Sequence, residues 1–245
     1  MIKNEELKTS PKQRIVICLV ALLMIGSTFA LYAGIVLNYN SNTESAQIDS
    51  EKQARFEELY AEYQEQLDAQ AKTLSSLYFD EFSAYRSEIK SFNAAGVVEL
   101  KVKDLKKGTG REIADLEDTD YAAYYIGWLS DETVFDSSFD DNKNPTRLVS
   151  PLEGSPYMIQ GWLEGIAHND EVDSEGNIKS TLWEGMRIGG VREITIPAVL
   201  AYGDKDQGTI PANSPLKFIV MLIEKPEEIE VSEELESLYS ELYGY

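Results

Sequence analysis

EGMRIGGVREITIPAVLAYGDKDQGTIPANSPLKFIVMLI, Glu184 to Ile223, is the stretch whose reading decides the fold. Gly189 and Gly190 mark a turn in which a residue with a Cβ would be strained at positive φ. The run after it alternates: Val191, Glu193 and Thr195 point one way, Arg192, Ile194 and Ile196 the other. Pro197 ends that strand. Ala201-Tyr202-Gly203 leads into a loop punctuated by Gly208 and Pro211, and Leu216 to Ile223 reads as a second, wholly apolar strand.

Upstream of this stretch the same grammar continues. Ala94-Ala95-Gly96 closes a helical region, since glycine commonly follows a helix C-terminus. Val97 to Leu105 alternates as a strand, and Lys107-Gly108-Thr109-Gly110 turns the chain. Asp120 to Leu129 is a further strand, joined through Asp131-Glu132 to Thr133-Val134-Phe135. Asp140 to Pro145 is a polar loop. Pro156 to Gly161 then leads into Trp162 to Ile166, a short apolar helix. Several strands with one short helix between them in sequence fit an α+β class.

The formal net charge of -21 excludes nucleic acid as a partner, because phosphates repel such a surface. A single cysteine, Cys18, rules out an intrachain disulfide and any multi-cysteine metal centre. Residues 15–37 form an uncharged apolar run long enough to span a bilayer as a helix. Lys3, Lys8, Lys12 and Arg14 precede it, so the positive-inside rule places residues 1–14 in the cytoplasm and the remainder outside. The alternative, a cleaved signal peptide, expects a shorter apolar core and a small-x-small site. The reading is therefore a single-pass cell-membrane anchor with an extracytoplasmic domain.

From Glu44 to Asn93 there is neither Pro nor Gly. Apolar residues recur at Phe56, Tyr60, Tyr63, Leu67, Leu74, Leu77, Phe82, Tyr85, Ile89 and Phe92, mostly three or four apart, as on one face of a long helix or of two helices with a break near Thr73 to Tyr78. Residues 38–95 are thus expected to be a helical stalk, either a passive spacer or a coiled coil that pairs the chain as a homodimer. Gln70 and Glu81 interrupt the seam. After Pro226 an acidic tail, residues 226–245, carries Leu235, Leu238, Tyr239 and Leu242 at helical spacing.

The strings TIPAVLAYG (Thr195 to Gly203) and IPANSPLKFIVMLI (Ile210 to Ile223), with YIGWL (Tyr125 to Leu129), VFDSS (Val134 to Ser138) and MIQGWLEG (Met158 to Gly165), resemble the FKBP-type peptidyl-prolyl isomerases. The resemblance spans residues 96–225. It implies an FKBP-like twisted antiparallel sheet wrapped around a short helix, here preceded by a transmembrane helix and a long stalk, the layout of Mip-like members. It implies an enzyme that accelerates cis/trans exchange at X-Pro bonds of exported polypeptides without metal or cofactor, and that can bind macrolide-type inhibitors. By the same resemblance Trp162 is the floor on which a proline ring sits. Tyr125, Phe135 and Phe218 are walls, with Met158, Ile159 and Ile210 completing the lining. Asp136 and Tyr202 supply the polar groups, and the Ile159 N–H holds a substrate carbonyl. Trp162, Phe135, Asp136 and Tyr202 are the candidate catalytic residues.

Each of these residues has a plainer explanation on its own. Buried aromatics are usually packing, and an Asp before two serines is usually a turn or cap. Only their co-occurrence argues for a site. The chain also departs from the family pattern. Thr146 follows Pro145 where an aromatic is common, and Thr209 replaces an apolar residue. Residues 167–183 are inserted after the short helix. Glu171, Asp173 and Glu175 superficially suggest a calcium loop, but Leu182 occupies the position that needs a bidentate Glu. His168, the sole histidine, is read as a surface residue, and Trp183 as a pin for the insertion. These departures leave room for a second reading, a non-catalytic FKBP-like chaperone module tethered to the membrane.

Overall fold

The computed structural model describes residues 43–139, 152–154 and 158–244. In chain order the elements are α1 (Thr43–Ala84), a 3-10 turn (Tyr85–Glu88), β1 (Lys101–Lys106), β2 (Ala122–Trp128), β3 (Val134–Ser137), β4 (Leu152–Glu153), α2 (Gln160–Ile166), β5 (Asn169–Val172), β6 (Ile178–Trp183), β7 (Val191–Ile196), β8 (Leu216–Ile223) and α3 (Glu233–Tyr243). The main sheet runs β1-β7-β8-β2-β3, with β4 also paired to β2. Every pairing in it is antiparallel.

Two compact units divide the described residues, one within 65–229 and the other within 43–64 and 230–244. The larger unit is built on β8. Its sequence LKFIVMLI is buried at every position but Lys217, the pattern of a strand covered on both faces. On one face Leu216, Phe218, Val220 and Leu222 join Ala123, Ile194 and Ile196 under Trp162 and Ile166 of α2. On the other, Ile219, Met221 and Ile223 join Ala122, Tyr124, Ile126 and Trp128 against Phe82, with Leu74, Tyr78 and Phe79 beside it. The sheet thus lies between a short helix and the C-terminal half of α1.

Gly189 adopts φ 81° and donates its N–H to Leu222 O at 2.8 Å, so the Gly-Gly turn delivers β7 in register beside β8. The alternation read in β7 is seen directly: Val191 packs with the α1 side, Ile194 and Ile196 with the α2 side. Arg192 shares the α2 side and is 2% exposed. Its guanidinium donates to Asp104 Oδ1 (2.6 Å), Gly165 O (2.9 Å) and Glu184 O (2.9 Å). A buried charge is tolerated only when paired and hydrogen-bonded in this way. It ties β1 and the end of α2 to β7.

In the smaller unit Phe56 and Leu59 of α1 pack on Leu235 and Tyr239 of α3. Arg55–Glu234 and Lys52–Glu241 ion pairs flank that contact. Ser232 caps α3 by accepting the Leu235 N–H, and Gly244 ends the helix in the left-handed region.

These contacts correct the expected stalk. The helical periodicity over residues 38–95 is not that of a free spacer or coiled coil. Its apolar residues are used within the chain, by α3 in one unit and by the sheet in the other. That leaves the expected homodimer seam unsupported. Leu77, drawn into the seam by spacing, is 66% exposed. Helix α1 ends at Ala84 rather than near residue 95. The expected membrane span, residues 15–37, lies outside the described residues, as does the cytoplasmic segment 1–14. Among the described residues no helix is long and apolar enough to cross a membrane. Nothing among the described residues supports the membrane anchor, the Mip-like layout or the extracytoplasmic placement that depended on it, and none of them is carried forward.

The insertion is a β-hairpin, β5 with β6. At its tip the Asp173 carboxylate accepts the Glu175 and Asn177 N–H groups at 2.9 Å each, so it closes a turn. Trp183 donates its indole N–H to Glu164 O (3.1 Å) and Ala167 O (3.2 Å), fixing the hairpin base to α2.

Candidate active site

Four aromatic rings from four elements meet on the α2 side of the sheet. Trp162, in the first turn of α2, is 1% exposed and Phe218 of β8 is 5% exposed. Their ring centres are 5.2 Å apart at 86°. Tyr125 of β2 meets Trp162 edge-on at 5.4 Å and 88°, and Phe135 of β3 meets Phe218 at 5.5 Å and 84°. Edge-to-face contacts suit ring quadrupoles, each adding about 0.5–1.5 kcal/mol beyond area burial. Ile210 is buried in the same cluster, and Met158 and Ile159 pack against it.

Local structure places each ring. Gly161 and Gly165 of α2 lie where a Cβ would run into Ile196 and Ile194 of β7, so the helix lies close enough to the sheet to carry Trp162 inward. Gly127 faces Phe218 across the β2–β8 pair, and a Cβ there would stand 2.6 Å from both Phe135 and Phe218.

Polar groups gather at one side. The Tyr125 hydroxyl donates to Asp136 Oδ2 at 2.7 Å. Burial pushes the Tyr125 phenol well above its ordinary value, and its hydrogen bond to Asp136 and the charges of Asp136 and Tyr202 add to the shift. It therefore remains a donor. Tyr202, 37% exposed, is also raised, by burial and then by the Asp136 charge. Among the described residues Tyr202 makes no ring contact with the other four aromatics. Ile159 is the residue before the first turn of α2. Its carbonyl accepts Trp162 N–H at 3.0 Å, and among the described residues its own N–H has no acceptor. Thr146 lies outside the described residues.

Sequence reasoning passed over three positions. Tyr121, 2% exposed, has its phenol raised by burial and partly offset by a hydrogen bond from Trp162. Ser138, 2% exposed, accepts the Tyr125 N–H on its Oγ (2.9 Å) and returns its own N–H to Tyr125 O (2.8 Å). Gly127 is the third. The serine pair after Asp136 was visible but read as a turn. Nothing in the sequence marks Tyr121 or Gly127 apart from the register of β2. Two cavities, of ≈ 240 and ≈ 390 Å³, lie elsewhere and share none of the site residues.

Residues 117–223 match the model of the FKBP-type peptidyl-prolyl cis-trans isomerase family. The FK506-binding protein of Neisseria meningitidis serogroup A is 32% identical over 125 residues, 51% of this chain and 94% of that protein. The chain belongs to the FKBP family. Its enzymatic domain is a peptidyl-prolyl isomerase of that type. FK506-binding protein 4 of Aspergillus fumigatus is 40% identical over 130 residues, 53% of this chain and 22% of that protein. Among solved structures, AtFKBP13 aligns at TM-score 0.37 and 30% identity, covering 52% of this chain and 93% of that one.

Proposed function

We propose that X-Pro bonds rotate over the ring cluster, with Trp162 as the floor beneath the proline ring and Tyr125, Phe135 and Phe218 around it. Met158, Ile159 and Ile210 line the remainder. Asp136 and Tyr202 are the polar groups at the reacting amide, and the Ile159 N–H holds a substrate carbonyl. The observation that carries this reading is the set of edge-to-face contacts joining Trp162, Tyr125, Phe135 and Phe218, with Asp136 bonded to one of them.

The chemistry requires no nucleophile. Peptide rotation faces a barrier of about 18–20 kcal/mol because resonance stabilises the planar amide. That planar form is charge-separated, and water solvates it. Aromatic walls do not, so the planar state gains less there than in solution. Fixed donors that fit the twisted geometry add to the effect. Uncatalysed exchange takes tens of seconds or more, which leaves ample room for acceleration. The Tyr125–Asp136 bond fixes the carboxylate before substrate arrives, so the site does not reorganise during the reaction.

The test is a proline-peptide isomerisation assay on the full chain. Trp162→Ala should remove nearly all acceleration, while costing about 3–5 kcal/mol of stability as a large-to-small core change. Asp136→Asn, at an exposed position, should keep the fold by circular dichroism and lower kcat/KM about 10-fold. Acceleration unchanged in Asp136→Asn, or absent from the folded wild type, would overturn the assignment; the latter would favour a non-catalytic role in holding chains.

A further inference from the structure

At the base of the β5–β6 hairpin three separated segments bring together side chains that the isomerase reading does not use. Glu112 precedes β2, His168 follows α2, and Glu184 follows β6. One ligand-type atom from each lies within 4.8 Å of the others. We propose that Glu112, His168 and Glu184 bind a divalent transition ion of the zinc type.

The argument starts from the imidazole. His168 Nε2 lies 3.0 Å from Asp170 Oδ1, and an ionised carboxylate only accepts, so Nε2 carries the proton. In the neutral ring Nδ1 is then the lone pair, and it faces Glu112 Oε1 at 3.9 Å. The other Glu112 oxygen is taken by Arg187. Glu184, at the exposed edge, brings a further carboxylate to the same point. Three ligand-type groups therefore converge, with Arg187 covering only the outer Glu112 oxygen. A carboxylate on the outer nitrogen is also the usual partner of a metal-bound histidine, since it sets the tautomer and raises the basicity of the ligating nitrogen.

The spacing is close to that of an ion site. Tetrahedral zinc with bonds of about 2.0–2.2 Å sets its ligand atoms about 3.4 Å apart. The Nδ1–Oε1 separation of 3.9 Å exceeds that by about 0.5 Å, which small side-chain rotations close, and rotation of the exposed Glu184 side chain brings in the third ligand. An imidazole with carboxylates selects transition ions over calcium, which takes oxygen donors. The backbone holds the three segments in place. His168 N–H donates to Ile113 O (3.2 Å), Ile113 N–H to Met186 O (2.8 Å) and Met186 N–H to Ile166 O (2.7 Å). Arg192 fixes the Glu184 carbonyl at 2.9 Å. A single histidine, isolated in sequence, offers no metal-binding spacing; only the fold brings the carboxylates to it.

An ion there would cross-link both ends of the hairpin to the segment before β2, two residues beyond the end of α2. The test is a zinc titration of the chelator-stripped full chain by calorimetry, in a Cys18→Ser background that removes the only thiol. Cobalt absorption serves as the second readout. One ion per chain is expected, with affinity at least 10-fold weaker in His168→Ala and in Glu184→Gln, the latter at an exposed position that leaves the fold intact. The proposal is overturned by the absence of saturable binding, or by equal affinity in either variant, which would place the ion on the acidic surface at large. It is also overturned if the nitrogen resonances of the one imidazole show a proton on Nδ1 that zinc does not displace.

Discussion

Replacing Gly127 with Ala adds one methyl group at the point where β2 passes beneath two rings of the site. The new Cβ would stand 2.6 Å from Phe135 Cζ and 2.6 Å from Phe218 Cε1, where ordinary contact begins at 3.4 Å. Each ring must therefore withdraw by about 0.8 Å, the difference between those distances. Gly127 has no positive φ, so the backbone itself does not resist the change. Overpacking of this kind costs about 1–3 kcal/mol. Against it, the loss of glycine from the unfolded chain contributes about 0.4–1 kcal/mol of stabilisation. The net is a destabilisation of up to about 2.6 kcal/mol, centred near 1 kcal/mol, or roughly 2–4 °C in Tm at that centre for a domain of this size. The effect on the rate should be larger in proportion, because a displacement near 1 Å can cost up to about 100-fold when reacting groups are held in place. We expect kcat/KM to fall about 10-fold or more in a protease-free proline-peptide assay, with thermal melting measured on the same sample. If both Tm and kcat/KM match the wild type, the rings have slack and the close packing does not set the site.

Three further outcomes follow from the same geometry. Tyr125→Phe keeps the ring and deletes its bond to Asp136, so urea unfolding should show a loss of about 1 kcal/mol and kcat/KM a several-fold drop; no change in either would make that bond idle. The phenols of Tyr121, Tyr124 and Tyr125 are raised chiefly by burial. The folded state therefore holds those protons more tightly than the unfolded chain does, and their stabilisation is complete below the ordinary phenol value of about 10. It is lost as pH rises from there through the folded values. The urea midpoint should be level from neutral pH to near that value and decline above it, less steeply in Tyr124→Phe; an identical alkaline slope in the variant would refute the attribution. A chain starting at residue 96, without α1, should bind a hydrophobic dye and lose cooperative melting, whereas a melt within a few degrees of the full chain would show that the helix is dispensable.

Much of the sheet was legible because its signals are local. Leu216 to Ile223 is bounded by Pro215 and Glu224 and coincides with β8, and the alternation of Arg192 to Ile196 places its faces correctly. The short helix was legible from Trp162 to Ile166 and begins two residues earlier. What misled was periodicity read without a partner. Phe56, Leu74 and Phe82 fall at helical spacing whether the covering surface is another copy or the chain's own elements. The deciding signal was in β8 and β2, whose residues are apolar on both faces and so require two covers. The site was legible as a list of residues through the family strings. The supports of that site, Tyr121, Ser138 and Gly127, are set by cross-strand register and by the depth of α2. A linear reading has no access to either.

Two apolar faces raise a problem that a one-sided sheet does not have. Where one face is wet, a slip of one residue turns the apolar set into water and is strongly disfavoured. In β2 and β8 a slip would exchange one buried face for another, so polarity alone specifies register weakly. Shape and a few polar anchors must do it. Gly127 lies opposite Phe218, and no other residue of β2 leaves the space that Phe218 and Phe135 fill. The Trp128 indole N–H donates to Lys90 O at 3.0 Å, which holds β2 to the segment after α1. Lys217, the one half-exposed residue in β8, pairs with Glu193 at 2.7 Å and lies 5.4 Å from the centre of the Phe92 ring. Each of these contacts fails if either strand moves by one position. The glycine that admits the two rings to the site is thus also what keeps β2 and β8 in the register that brings Tyr125 and Phe218 to the same side as Trp162.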